Sequence, residues 1–88
     1  MIEPRKVMWA LAEVWWADAT GAANHARATI EDMSASGACL RVKAPIQLGA
    51  RIKVKWHREQ FAAIARNCRS DGTEFLLGVR RDRCGSEI

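Results

Sequence analysis

The sequence predicts an all-β fold, a six-stranded antiparallel β-barrel with little or no C-terminal helix. Apolar and polar residues alternate with period two in most segments, and none shows apolar residues at convincing helical spacing. Turn residues separate about six such runs at intervals typical of barrels and sandwiches. Closing these strands into a barrel also hides the unpaired edges that an open sheet would expose.

Length and composition indicate one small folded domain. The chain has 88 residues, and a domain of that size buries roughly 60% of its unfolded surface. We expect residues 1–7 to form an N-terminal arm, residues 8–80 the barrel and residues 81–88 a tail. A hydrophobic content of 49% with only two prolines is typical of a globular domain.

The longest apolar stretch, residues 7–17, contains Glu13 and is too short to span a bilayer, so we expect no membrane insertion. It also lacks the basic start and cleavage site of a signal peptide, and we expect a cytoplasmic protein.

The first predicted strand, residues 8–16, is apolar on both faces. Either both of its sides are covered, or a tryptophan face meets a partner. Adjacent strand residues point to opposite sides, so Trp15 and Trp16 cannot both fill the core. We expect Trp56 and one of that pair to pack inside, and the remaining tryptophans to form a stacking platform or a subunit interface.

The later strands alternate more regularly. In the run 51–56, Ile52, Val54 and Trp56 share one face, and the basic residues between them share the other. Similar alternation predicts strands over residues 26–31, 40–43, 60–69 and 73–79. Turns are predicted at residues 18–21, 44–49, 57–59 and 70–72, and the Asp71-Gly72 pair is typical of a tight hairpin.

The formal net charge of +4 and a pI near 9.4 suit anionic partners. The predicted strands carry a basic face, which consists of Arg41, Lys43, Arg51, Lys53 and Lys55. Such a face is usually a solvated surface, although small basic barrels with exposed aromatic residues bind single-stranded nucleic acid. We expect nucleic acid not to be the partner, because Trp56 should point inward and leave no aromatic residue among the cations.

The residues do not suggest a catalytic or metal site. Three cysteines at long spacings match neither a disulfide framework nor a C-x-x-C metal motif. His25 and His57 have no ligand partners at suitable spacing, so we expect no metal and no cofactor. Ser34 does not lie in a G-x-S-x-G elbow, and no histidine is placed to assist it, so we expect no enzymatic activity.

Residues 32–37, between the second and third predicted strands, read D-M-S-A-S-G. This segment fits D/N-x-S-x-x-G and resembles the second signature of PilZ domains, which are bacterial receptors for cyclic di-GMP. Pro4-Arg5 resembles the end of the family's first signature, R-x-x-x-R, but Met1 stands where its first arginine would fall. The resemblance covers nearly the whole chain.

The resemblance implies a signalling domain that binds cyclic di-GMP as its ligand and transmits the binding to a protein partner. It implies that Arg5 binds phosphate or guanine, for which the planar guanidinium is suited. It implies that Asp32 accepts hydrogen bonds from guanine, that Ser34 supplies a hydroxyl, and that Gly37 permits close backbone approach or an unusual φ. Residues 1–6 would then be disordered without ligand and fold over the barrel mouth with it.

Two alternatives remain at this point. Taken without the resemblance, Asp32 and Ser34 are equally suited to satisfying backbone groups of a turn with Gly37 at its corner. The other alternative is a degenerate PilZ-like module that binds protein and not nucleotide, similar to members in pilus and flagellar assemblies. The missing arginine and the two-faced first strand favour it. Met1 itself is open to two explanations: the native arm is longer, or the nucleotide binds weakly or not at all.

Overall fold

The computed structural model describes residues 6–82, which form six β-strands and no helix. The strands are β1 (Lys6–Ala17), β2 (Ala23–Met33), β3 (Gly37–Val42), β4 (Arg51–Trp56), β5 (Glu59–Asp71) and β6 (Glu74–Arg81). Every pair is antiparallel, and the strands close into a barrel in the order β1-β2-β3-β6-β5-β4. The predicted six-stranded antiparallel barrel is therefore confirmed.

Each predicted strand has a counterpart, and most are longer than predicted. β1 begins at Lys6, so two residues that we assigned to the arm pair with β2. β5 begins at Glu59 and runs to Asp71, where we predicted residues 60–69. The added residues are held by cross-strand hydrogen bonds, which do not depend on local alternation. Within residues 6–82 no helix has the length and apolar character needed to cross a membrane.

The barrel interior is filled by the inward side chains of all six strands. Its largest fully buried side chains are Val14, Ile30, Leu40, Val42, Val54 and Leu77. β5 contributes the smaller Ala63 and Ala65, since the interior of a small barrel has room for only a limited set of large side chains. Trp16 and Trp56 pack against this core, as expected for Trp56 and one member of the Trp15–Trp16 pair.

The connection from β3 to β4 is the one that joins strands not adjacent in the barrel. Ile46, in the middle of this connection, is 3% exposed and packs into the core. The backbone N–H of Gly49 donates to the carbonyl of Ala65, and the N–H of Ala65 donates to the carbonyl of Ala50. The long connection is thereby fixed to β5.

Two tight hairpins connect the later strands. Trp56 pairs with Glu59, which leaves His57 and Arg58 in a turn with His57 at a φ of 58°. Asp71 pairs with Glu74, so the predicted Asp-Gly hairpin exists, but its turn residues are Gly72 and Thr73. Gly72 supplies the positive φ, at 67°.

The turn between β1 and β2 is organised by the carboxylate of Asp18. Its Oδ1 accepts hydrogen bonds from the Thr20 hydroxyl at 2.6 Å and from the backbone N–H groups of Thr20 and Ala22. Its Oδ2 accepts one from the Asn24 amide. These bonds, the Thr20 hydroxyl first among them, lower the pKa of Asp18 to about 2.

Replacing Thr20 by alanine should raise the pKa of Asp18 from about 2 toward its ordinary value of 3.8, because the shortest hydrogen bond to the carboxylate is lost. In the wild type this turn stabilises the fold above pH 4, and the contribution is lost as the pH falls toward 2. NMR titration of the Asp18 carboxyl carbon measures the shift. Thr29→Ala, in the middle of β2, is the control and should leave this pKa unchanged. An unaltered Asp18 pKa in Thr20→Ala would contradict the assignment.

Candidate functional site

Three strands are interrupted by β-bulges. The register shifts fall between Val7 and Ala10 in β1, between Ile30 and Asp32 in β2, and between Ala65 and Asn67 in β5. Because strand side chains alternate with period two, one extra residue moves the following side chain to the opposite face. Bulges are frequent beside functional sites, where they redirect a side chain.

The bulge in β2 turns Asp32 to the outer surface of the barrel. Ile30 is fully buried and pairs with the buried Leu40. Asp32 instead pairs with Cys39, which lies between buried residues of β3 and therefore faces outward. On its other side Asp32 pairs with Val7, near the start of β1. Its side chain is half-buried.

The outward row that contains Asp32 crosses five strands. Its members, in spatial order, are Val7, Asp32, Cys39, Gly78 and Asn67. A Cβ added at Gly78 would lie 2.7 Å from Oδ1 of Asn67, so the Asn67 amide occupies the space above this glycine. The row thus presents a carboxylate and a carboxamide on one face. The sequence analysis missed Asn67, since no local pattern reveals which residues a long-range register brings together.

Ser34 and Gly37 lie where β2 turns into β3. The backbone N–H of Ser34 donates to the carbonyl of Gly37 at 2.8 Å, which closes the turn. The carbonyl of Ser36 accepts from the backbone N–H of Arg81 at 2.7 Å, which fixes the turn to the end of β6. Asp32, Ser34 and Gly37 are therefore held together on one well-anchored segment.

Gly37 allows the backbones of β3 and β6 to approach closely, and it does not adopt an unusual φ. The glycines at positive φ in residues 6–82 are Gly21, Gly49 and Gly72, and Gly37 is absent from this set. A Cβ added at Gly37 would lie 2.6 Å from the carbonyl oxygen of Val79 in β6. Of the two explanations that the sequence offered for this glycine, the structure supports the first.

Arg5 lies outside the described residues. The strand that follows it begins beside the signature turn, because Lys6 pairs with Met33 and Val7 pairs with Asp32. Two arginines of β6 lie at the same end of the barrel as Lys6. Arg80 is exposed and pairs with Gly37, whereas the guanidinium of Arg81 lies 4.5 Å from the centre of the Phe61 ring.

The outer face of β1 carries an apolar stripe, which we define as Val7, Trp9 and Leu11. Their side chains are 70%, 62% and 80% exposed, respectively. Among the described residues, the first half of β1 is therefore covered on its inner side, and its outer side, which carries Trp9, is exposed. Trp9 has a φ of 50°, at which a bulky side chain is a backbone outlier. Such a conformation costs about 1–3 kcal/mol.

The basic face predicted from the sequence is not continuous. Arg41 is neutralised: its Nε donates to Glu31 at 2.6 Å, and its Nη1 donates to Asp71 at 2.9 Å and more weakly to Glu74 at 3.4 Å. The bonds to Glu31 and then Asp71 raise the pKa of Arg41. The other cations of this set are Lys43, which directly follows β3, and the three on β4.

An aromatic residue does lie among the β4 cations, which corrects our expectation. Trp15 faces outward, pairs with Lys53, and stacks on His25 with ring centres 4.7 Å apart. Nε2 of His25 lies 3.3 Å from a carboxylate oxygen of Glu13. The Trp15 ring and Lys53 border a shallow groove of about 380 Å³.

Within residues 6–82, no three histidine, cysteine, aspartate or glutamate side chains lie close enough together to hold a metal ion. Cys39 and Cys68 are not joined in a disulfide. Cys84 lies outside the described residues.

Comparison with known families gives one result. The family model of the PilZ domain matches residues 7–83, which include the signature turn and nearly all of the barrel. No curated protein matches the chain.

Gly37→Ala should destabilise the barrel, because the new methyl group would meet the backbone of Val79 and one strand would have to move. Overpacking of this kind costs about 1–3 kcal/mol, and each kcal/mol lowers the Tm of a small domain by about 4–8 °C. Thermal unfolding followed by circular dichroism measures the loss.

Gly78→Ala is the matched comparison, because there the atoms nearest to the added methyl group belong to the side chain of Asn67 and not to backbone. We expect a smaller loss of Tm than for Gly37→Ala, and further recovery in the double variant Asn67→Ala/Gly78→Ala. A Gly37→Ala protein as stable as wild type would show that this strand contact is not tight.

Proposed function

We propose that this chain, which belongs to the PilZ domain family, is a signalling domain that binds cyclic di-GMP and passes the signal to a protein partner. PilZ domains form a family of receptors for this nucleotide and are not catalysts. The observation that carries the proposal is the register of β1. It brings the strand that follows Arg5 alongside Asp32 and the signature turn.

The chemistry of the turn suits a guanine nucleotide. A guanine base presents N–H donors on one edge and the acceptors O6 and N7 on another. Asp32, half-buried on the outer face, is an acceptor for the donor edge, and partial burial strengthens such a bond. The amide of Asn67 lies over Gly78 in the same outward row, three strands from Asp32, and offers a donor and an acceptor to a ligand that spans the row. The Ser34 hydroxyl adds a third small polar group.

Arg5 supplies the charge in this proposal. A guanidinium binds a phosphate, or the O6/N7 edge of guanine, through two parallel hydrogen bonds. Arg5 is next to Lys6, the first residue of β1, so a short arm reaches the nucleotide from the barrel edge. A ligand that bridges this arm and the fixed turn orders the arm, and ordering of a segment by new arginine–phosphate contacts is a common form of switch.

A cation at position 1, which this sequence fills with Met1, would raise the affinity in this proposal. A hydrogen bond to a charged group contributes about 1.5–3 kcal/mol, which corresponds to about one to two decades in Kd. Restoring that cation should therefore strengthen binding. The same proposal places the protein in the bacterial cytoplasm, where a soluble nucleotide would reach it.

Titration calorimetry with cyclic di-GMP tests the proposal. The wild type should bind, and Asp32→Ala and Arg5→Ala should each weaken binding at least about tenfold, because each removes a charge-assisted bond. Met1→Arg, placed behind a new initiator methionine, should strengthen it about tenfold or more.

Lys53→Ala is the control, since it removes the same unit of charge as Arg5→Ala from β4, a strand that does not pair with β2 or β3. Binding by Lys53→Ala should stay within about twofold of wild type. If neither the wild type nor Met1→Arg produces heat at ligand concentrations far above micromolar, the receptor function is wrong and the protein-binding alternative takes its place.

A further inference from the structure

We infer that Trp9 stacks on a guanine base of the bound nucleotide, with its indole ring against the face of the base. The inference rests on the proposed function and adds to it a contact that the two family signatures do not contain. Three features of Trp9 support it: its backbone conformation, its exposed ring, and its position on β1 two residues after Val7, the partner of Asp32.

The backbone at Trp9 is held in a conformation that tryptophan rarely adopts. Trp9 has a φ of 50° and lies in the bulge between Val7 and Ala10. Glycine is the usual residue in the left-handed position of such a bulge, because it has no Cβ. Strained backbone of this kind is concentrated at ligand clamps and other functional sites. Here it places a large aromatic ring on the outer surface, where 62% of the residue is exposed.

The other three tryptophans are already engaged. Trp16 and Trp56 pack against the core, and Trp15 stacks on His25. Trp9 has no ring or cation partner among residues 6–82. It is therefore the tryptophan whose ring remains available to a ligand.

The ring lies beside the proposed nucleotide site. Val7 pairs with Asp32, and Trp9 follows Val7 by two residues. With a strand rise of about 3.4 Å per residue, the two backbone positions differ by at most about 7 Å along β1. A carboxylate and an indole ring at that separation can contact the same purine base at once. The carboxylate binds the edge of the base, while the ring covers its face.

The neighbouring side chains favour a base over a charged group at this position. Val7 and Leu11, which complete the apolar stripe, are 70% and 80% exposed. An aromatic base buries apolar surface against them, whereas a phosphate would lose hydration there. Stacking of one base on an aromatic side chain corresponds to about 5- to 150-fold in affinity.

The test compares Trp9→Phe, Trp9→Ala and Trp9→Gly with wild type in calorimetric titrations with cyclic di-GMP. Trp9→Phe keeps a stacking ring and should bind within a few-fold of wild type. Trp9→Ala and Trp9→Gly should bind about tenfold more weakly or worse. Leu11→Ala, an apolar truncation on the same face of the same strand, is the matched comparison and should weaken binding clearly less than Trp9→Ala, because it removes apolar contact but no stacking ring.

Thermal unfolding of Trp9→Gly supplies a readout that separates a ligand contact from a structural role. Glycine accepts the positive φ without strain, so the Tm should rise while the affinity falls. A fall in both quantities would overturn the inference, because Trp9 would then act through the fold.

The remaining outcomes are also distinct. If wild type binds, Asp32→Ala binds weakly and Trp9→Ala binds like wild type, the inference is wrong and the proposed function stands. Equal losses in Trp9→Ala and Leu11→Ala would likewise overturn stacking, in favour of a general apolar contact with ligand or protein. Absence of binding by wild type and Met1→Arg would overturn both the proposed function and the inference.

Discussion

One extra residue in β2 determines which side chains this barrel buries and which it presents beside the signature turn. Strict alternation from the buried Ile30 would point Asp32 into the core, where an unpaired carboxylate is very costly. The bulge between these two residues lets Ile30 fill the interior while Asp32 faces outward beside Cys39 and Val7. The stability of the barrel and the chemistry of its surface are thus reconciled at a single irregular position.

The glycines on the same side of the barrel meet a related requirement. Gly37 lets the start of β3 lie against the backbone of β6, and Gly78 leaves room for the amide of Asn67. Both glycines remove a side chain where strands or polar groups approach closely, so the outer row around Asp32 is compact and fixed. Trp9 is the opposite case, because its large side chain is retained at a φ that favours glycine. Stability alone does not explain that choice of residue.

Local patterns were sufficient to predict the strands, the Asp71-Gly72 hairpin and the inward position of Trp56. Period-two alternation over residues 51–56 and the Asp71-Gly72 pair act within a few residues of chain, and short sequence windows contain that information. Register between distant strands does not have a local signal. Asn67 faces outward with Asp32 because of bulges in two different strands, and Arg41 finds its carboxylates 10, 30 and 33 residues away. The signature motif was enough to locate the turn. The residues that surround the turn could be identified only from the fold.

The positive charge of this protein is not concentrated at the signature turn. Arg41 is neutralised by three carboxylates, and Lys53 and Lys55 lie on β4, two strands from β2 and three from β3. At about 4.8 Å per strand, these lysines are about 10–14 Å from the signature turn along the sheet. Salt at physiological concentration screens exposed charges beyond about 8 Å. The net charge of +4 therefore contributes to long-range attraction at low salt, whereas selective binding of a phosphate at the turn depends on cations held next to it. Lys6 and Arg80, which pair with Met33 and Gly37, are such cations among the described residues, and in the proposed function Arg5, which directly precedes β1, adds another.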